Sequence, residues 1–463
     1  MSRLMARGWK LALPLAALAA VATAVVAATA TASSKAAPIK LAIMSDCQGA
    51  FGAFYEQDIG GAQSAFAQFA GGKAKDRNKP SAGMTGITIG GRPVKIVGYG
   101  CSNDTAAKAI SETKRLMEKL NADILIGPLS GDEGIAVANY AKKHPTKTFI
   151  NGTSGAQDTT LKVRAPNFFR FNSDGAQWSA GLGDYAYHTL GWRKAAVIAD
   201  DYSFAWTSSA GQLAEFCAVG GKVTKRVYPP LNTTDYSSYV QQLPGPSQVD
   251  GYFWAVGGAG LTPSLKAFEQ SKGAIKGSQF AGNLFWSDPT QYAELSDRVV
   301  GALASGPTWP ESKTPATKAY VNGMSKAYDK FGNATPAATA SSVFVYNYYN
   351  AAWGLIKALN AVKGNTSGGQ RALQKALAKT SLPKAGYGAI TLDNNRNAIT
   401  TNYVQQLVKD SSGKLGVKTI LRIPAVDQTF GGTFSPSTPP PGRTFPTCKK
   451  RSLPWVGKAI KVG

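Results

Sequence analysis

The sequence predicts an α/β protein of two lobes, each built on a parallel central sheet with helices on both faces. Three observations predict it. Short apolar β-type runs alternate with helical patterns from Pro38 onward, the grammar of a parallel sheet. The alternation starts afresh after "NFFRFN" and runs again for a comparable length. The chain then closes with two further helical patterns and two hairpins rather than a third unit.

The elements follow in order. "PIKLAIMS" (38–45) is a short buried strand. "QDIGGAQSAFAQFA" places Ile59, Ala62, Phe66 and Phe69 at helical spacing. "RPVKIVGYG" is the next strand. "DTAAKAISETKRLMEKLN" is a helix carrying Ala107, Ile110, Leu116 and Leu120 on or near one face. "ADILIGP", "GDEGIAVANYAKKH" and "KTFING" complete the first unit as strand, helix and strand. The second unit reads as "NFFRFN", one helix over 176–190, strand "KAAVIAD", helix "SSAGQLAEFCAVG", strands "KVTKRVYP" and "VDGYFWAVG", helix "TPSLKAFEQSKG" and "SQFAGN". Helical patterns at 314–331 and 337–362 precede hairpins that turn at Asn394-Asn395 and at 411–413. The segment from Thr433 is Pro-rich and aperiodic, extended or disordered unless something ties it down.

Composition narrows the function classes. The first ten residues hold Arg3, Arg7 and Lys10 and no acid; an apolar Ala-rich run follows, and Ala30-Thr31-Ala32 fits a small-x-small cleavage rule. That order predicts a secretory signal over 1–32, cleaved rather than kept as an anchor, and a secreted or envelope-associated mature protein. Net charge is +24, from 51 basic and 27 acidic residues. The signal and the tail hold nine basic residues and no acid, leaving 42 basic against 27 acidic (+15) spread over the body. With no dense basic cluster interleaved with aromatics, a nucleic-acid partner is not expected. The chain has two histidines, His144 at a helix end and His188 inside a helix, and no Gly-x-Ser-x-Gly elbow or phosphate-binding loop. Its four cysteines lie far apart, without metal spacing. Acid pairs such as Asp200-Asp201 read as caps or solvated groups. An enzyme, a metal and a cofactor are therefore not expected.

The turns after two neighbouring strands carry the functional signal. Ser130-Gly131 follows "ADILIGP", and Gly152-Thr153-Ser154-Gly155 follows "KTFIN". In an open α/β sheet, ligands bind beyond the carboxyl ends of strands. Small residues let a ligand reach backbone N–H groups, hydroxyls add donors, and the helix starting near Asp132 turns its positive end there. Together they form a cradle for a small anionic group such as a carboxylate. Ser130 also fits a plain helix cap, and the matching second turn favours the site.

On "IKLAIMSDCQGAFG", "IGPLSGDEG", "FINGTSGAQDTTL", "FFRFNSDGAQ", "AAVIADDYSFAW" and "AITLDNNRNA", taken in order, the chain resembles the extracytoplasmic solute-binding proteins of the type I periplasmic-binding fold. It is similar to the branched-chain amino-acid binding family of ABC transporters, from Pro38 to about Phe430. The resemblance implies two Rossmann-like lobes joined by three crossover segments, closure on a small molecule, and delivery to a membrane permease by a monomer. Lobe 1 is expected over 38–172 and 310–388, lobe 2 over 173–309 and 389–432, and a basic tail over 433–463. It implies that the turns holding Ser130, Gly131, Thr153, Ser154 and Gly155 take the ligand's α-carboxylate. Phe54 or Tyr55 stands where an aromatic covers the ligand, and Phe204, with Tyr202 and Trp206 beside it, where the second lobe supplies one. Where the family carries an acid for the amine, this chain has Leu284, Phe285 and Trp286; Asp288 is offset, and Asp174 at the crossover is the other candidate acid. An amino acid, an aromatic or other carboxylate, or an amide thus remain open as ligands. A sensory protein of the same fold and a wall-associated protein without transport are the alternatives.

The cysteines follow from topology. Cys47 and Cys101 end the first two strands, which lie side by side in a doubly wound sheet, so they are expected to pair. Cys217, at a helix end, and Cys448, in the tail, are expected to form the second bond, with a buried free Cys217 as the alternative.

Overall fold

In the computed structural model, which describes residues 37–462 apart from 293 and 296, two sheets carry the chain. The expected signal segment lies outside the described residues.

The first sheet contains β1 (Ile39–Asp46), β2 (Thr88–Ile89), β3 (Arg92–Ser102), β4 (Ile124–Ile126), β5 (Thr148–Ile150) and β6 (Phe168–Phe169), in the order β2-β3-β1-β4-β5-β6. All neighbours are parallel except β2 and β3. The apolar run of β1 serves both faces, because successive side chains of a strand point oppositely. Leu41 and Ile43 enter a core with α1 (Tyr55–Ala70), α8 (Pro315–Ala327), α9 (Val343–Ala361) and α10 (Arg371–Ala378). Ala42 and Met44 enter the opposite core, under α2 (Ala106–Lys114) and α3 (Gly131–Lys143).

The second sheet holds β7 (Lys194–Ala199), β8 (Lys222–Val227), β9 (Gly251–Ala255), β10 (Phe280–Gly282), β11 (Leu303–Gly306), β12 (Asn402–Lys409), β13 (Leu415–Ile423) and β14 (Ile460–Lys461). Its order is β8-β7-β9-β10-β11-β12-β13-β14, parallel as far as β11 and antiparallel beyond. The same alternation sorts its residues. Ile198 and Trp254 face one core with α7 (Leu261–Lys272), and Val197 and Phe253 face the other with α6 (Ser203–Ala218). The chain crosses between the sheets after β6, after β11 and before β12.

The helix expected over 176–190 is two helices, α4 (Gly175–Trp178) and α5 (Leu182–His188). Gly181 adopts φ 96, open to glycine, and the buried Glu215 carboxylate of α6 accepts from Gly181 N (2.9 Å) and Gly183 N (2.7 Å). A continuous helix would commit those N–H groups to carbonyls.

The tail is tied down. Phe434, Leu453 and Trp455 are buried against the α6 face of the second sheet, Trp455 Nε1 donates to Glu215 Oε1 (2.5 Å), and β14 pairs with β13. The structure joins Cys217 to Cys448 and Cys47 to Cys101; Ser45 and Cys101 are direct partners across β1 and β3, so Cys47 sits beside its mate. The Cys217–Cys448 bond closes a segment of 231 residues. Its removal by C217S/C448S is expected to cost about 2–4 kcal/mol, through the denatured state and by loosening the tail. Urea unfolding of both proteins, with and without reductant, reads this. Equal midpoints would remove the tail bond from the stability of the fold.

Candidate functional site

The two β–α turns meet the second lobe at the carboxyl ends of β4 and β5. Ser130 precedes α3 in an extended conformation, and its hydroxyl makes no capping bond. It is 2% exposed, yet its Oγ has no partner among the described residues. The same holds for Thr153 Oγ1. A buried hydroxyl left unpaired is costly, so the pair points to a group from outside the chain. The first-turn N–H groups of α3 have no carbonyl within the helix, and they add positive potential beside these hydroxyls.

The carbonyls of the Thr153–Ala156 turn are held from behind. Asn151 Nδ2 donates to Ser154 O (3.0 Å), Asn172 Nδ2 to Thr153 O (3.4 Å), and Arg170 Nη1 to Ala156 O (2.6 Å). Glycine is required at two places of close approach. A Cβ at Gly131 would fall 2.6 Å from Ser203 Oγ and 2.7 Å from Phe204 N; one at Gly155 would fall 2.6 Å from both the Phe204 and Trp178 rings. The N-terminus of α6 is thereby brought against that of α3, and Asp132 of α3 accepts from Ser203 N (3.1 Å) across the lobes.

A cavity of ≈ 20 Å³ lies between these elements, room for about one water. Leu129, Ser130, Gly131, Thr153 and Gly155 form one wall. Phe51 and Phe344 from the first lobe and Trp178, Tyr202, Phe204, Leu284 and Phe285 complete it. No side chain on this wall is charged. The rings interlock: Phe51 stacks on Phe285 at 5.5 Å and Phe204 meets Phe285 edge-on at 6.1 Å. Admitting a solute larger than water requires these walls to part. A larger groove of ≈ 680 Å³ lies on the first lobe between α1 and α8, but its Arg77 is already bonded to Asp329.

Of the residues expected at the site, the structure brings Ser130, Gly131, Thr153, Gly155, Tyr202 and Phe204 together on the cavity. Five others lie elsewhere. Phe54 sits one layer back, stacked on Phe344 at 3.8 Å, while Phe51 takes the wall. The 3₁₀ turn Gly49–Phe54 aligns residues three apart, so the two rings share a face. Tyr55 opens α1 and packs against the first-lobe core, where burial pushes its hydroxyl up to about 12. Ser154 Oγ lies against Gly134 of α3. Trp286 turns inward onto Phe280, because the turn Leu284–Ser287 sends Leu284 and Phe285 outward. Asp174 is a helix cap: its Oδ1 accepts from Ala176 N and Gln177 N at 3.0 Å each, and its Oδ2 lies 3.7 Å from Arg170 Nη2. Asp288 is likewise spent on Thr290 and Ser342. Phe344 starts a helix remote in sequence, and no local pattern marks it as a site residue. Phe51 carried a local signal in its spacing of three from Phe54.

Three carboxyls cluster at the head of α3: Asp46, Asp104 and the helix's own Glu133. Glu133 accepts from Ser102 Oγ, and Asp104 accepts from Ala50 N (2.6 Å). Among the described residues no group of acids, His and Cys is arranged to hold a metal ion. Burial raises all three, with the neighbouring acids adding to the effect on Asp46; Glu133 is pushed up to about 7. Glu215 is also raised to about 7 by burial. For carboxyls raised on folding, the stability they contribute is full below the unfolded value near 4.5 and is lost as pH rises through about 7. Affinity for an anion is expected to follow, falling by roughly three- to tenfold between about pH 5.5 and 8 as Glu133, in the first turn of α3, ionises. Titration calorimetry of the parent and E133Q checks this: the parent falls, and E133Q, left with only Asp46 and Asp104 to ionise, falls less. A flat parent profile would separate the cluster from the site.

Comparisons with known proteins agree with the fold. The family model described as "Periplasmic binding protein" matches residues 38–414. Among curated proteins none matches by sequence. Among solved structures, an ABC transporter substrate-binding protein from Sphaerobacter thermophilus is similar at TM-score 0.70 and 22% identity, covering 85% of this chain and 99% of its own. A solute-binding protein of an ABC transporter from R. palustris, in complex with benzoate, gives 0.68 and 20%, covering 84% and 98%. A leucine-binding protein from Thermotoga maritima gives 0.65 and 18%, covering 82% and 97%.

Proposed function

We propose, from the premise that this chain belongs to the periplasmic binding protein family, that it captures a small aromatic carboxylate between its lobes and hands it to an ABC transporter permease. The observation that carries the reading is the cavity wall: unpaired hydroxyls of Ser130 and Thr153 at the head of α3, faced by aromatic rings and by no charged side chain. Hydroxyl and N–H donors suit a carboxylate. An α-ammonium would need an acid, and the two candidate acids the sequence offered for it, Asp174 and Asp288, are committed elsewhere. Apolar rings suit a ring that stacks or meets them edge-on. The relative bound to benzoate supports the same class, and the leucine-binding relative keeps an amino acid as the second reading. On the same premise, it acts outside the cytoplasm, as a monomer and as a binder rather than an enzyme.

A thermal-shift screen tests this. Benzoate and its hydroxylated forms are expected to raise the melting temperature in a concentration-dependent way, and leucine, isoleucine and valine are not. Stabilisation by an amino acid alone would overturn the aromatic reading. Scattering with the stabilising solute is expected to report a change in radius as the lobes close.

A further inference from the structure

One donor of a cavity-lining residue is left without a role by carboxylate capture. Trp178 is 2% exposed, lines the cavity and meets Phe204 at 5.9 Å between ring centroids, and its indole Nε1 has no acceptor among the described residues. Three other indoles of the second lobe are provided for: Trp206 donates to Asp201, Trp254 to Ser264 and Trp455 to Glu215. Trp286 also lacks an acceptor, but it lies off the cavity, behind Leu284 and Phe285.

Trp178 is held firmly. It ends α4, whose start is fixed by the reciprocal cap of Asp174 and Gln177. Its carbonyl accepts from Ser305 Oγ (2.6 Å) and Asn402 Nδ2 (2.9 Å), at the ends of β11 and β12. Its Cζ3 edge faces Gly155, the carboxylate side of the cavity. In an indole, Nε1 lies on the edge opposite Cζ3, so the free N–H is set a ring's width away from that turn.

We propose that Trp178 is a ligand-binding residue whose indole N–H donates to a second oxygen of the solute, so that the solute is an aromatic carboxylate bearing a hydroxyl remote from its carboxyl group. This rests on the reading of the site as one for aromatic carboxylates. A neutral donor that is buried and unpaired discriminates between ligands that do and do not supply an acceptor, because the unpaired state carries the desolvation cost.

The test is a cycle of two proteins and three probes. Benzoate, 3-hydroxybenzoate and 4-hydroxybenzoate are titrated into the parent and into W178F, which keeps an aromatic ring and removes the N–H together with part of the indole's volume; benzoate, which needs no such donor, reports the effect of the lost volume alone. The parent is expected to prefer one hydroxybenzoate over benzoate by tenfold or more. W178F is expected to reduce that preference to within about threefold while still binding benzoate, which also shows that it is folded. In the parent labelled with ¹⁵N-tryptophan, the Nε1–H resonance that W178F lacks is expected to move on adding the preferred hydroxybenzoate and to stay in place with benzoate. An equal loss for all three probes in W178F, or a parent with no preference, overturns the assignment of Trp178 alone. A parent that binds none of the three overturns the aromatic-carboxylate reading, and the assignment with it.

Discussion

Replacing Ser130 and Thr153 together by alanine is expected to weaken solute binding by at least a hundredfold and to leave the melting temperature of the free protein within a few degrees of the parent. Neither hydroxyl bonds to any other described residue, so the fold gives up no hydrogen bond with them. The solute gives up two. A hydrogen bond to a charged group contributes about 1.5–3 kcal/mol, and two such losses span roughly two to four decades of affinity. S154A is the control. Its hydroxyl lies against Gly134 rather than on the cavity wall, so this variant is expected to keep the parent affinity within a few-fold. Calorimetry on the three proteins with the solute found by thermal shift reads the difference. A double variant that binds as tightly as the parent would move the carboxylate away from the head of α3.

Much of this arrangement is legible in the sequence because strands announce themselves locally. "PIKLAIMS" and "ADILIGP" are apolar on both faces, and each is followed by small polar residues where the chain must turn. The pairing of Cys47 with Cys101 follows from strand order alone. What stays hidden depends on partners distant in sequence. The break between α4 and α5 is made by Glu215, 34 residues beyond Gly181. The ordered tail depends on Trp455 reaching that same carboxylate, 240 residues on. Phe344 meets Phe285 at 5.6 Å only because the chain has returned to the first lobe. Asp174 reads as a free acid near the site until its helix-capping bonds and its arginine are seen.

That arginine supports the second large effect. R170M is expected to lower stability by about 3–5 kcal/mol, the cost of leaving a buried charge without its counter-charge. Arg170 and Asp174 are both fully buried. Burial lowers the Arg170 guanidinium to about 10, still protonated at neutral pH, and burial likewise raises Asp174 against the pull of Arg170. The guanidinium also donates to Asn397 Oδ1 (2.6 Å), Thr160 Oγ1 (2.8 Å) and Ala156 O (2.6 Å). It thus joins the first crossover, the third crossover and the turn proposed to hold the solute. The double variant R170M/D174N removes both charges while asparagine keeps the helix cap, so most of the lost stability is expected to return. The tie to Ala156 O does not return with it. The double variant is therefore expected to melt near the parent and still bind the solute about tenfold more weakly, because the turn beneath Thr153 and Gly155 is no longer held from behind. Urea unfolding and calorimetry on the single and double variants separate the two effects. A double variant as unstable as R170M would show that the hydrogen bonds, and not the buried charge, set the cost. One that binds as tightly as the parent would free the turn from its dependence on the crossover.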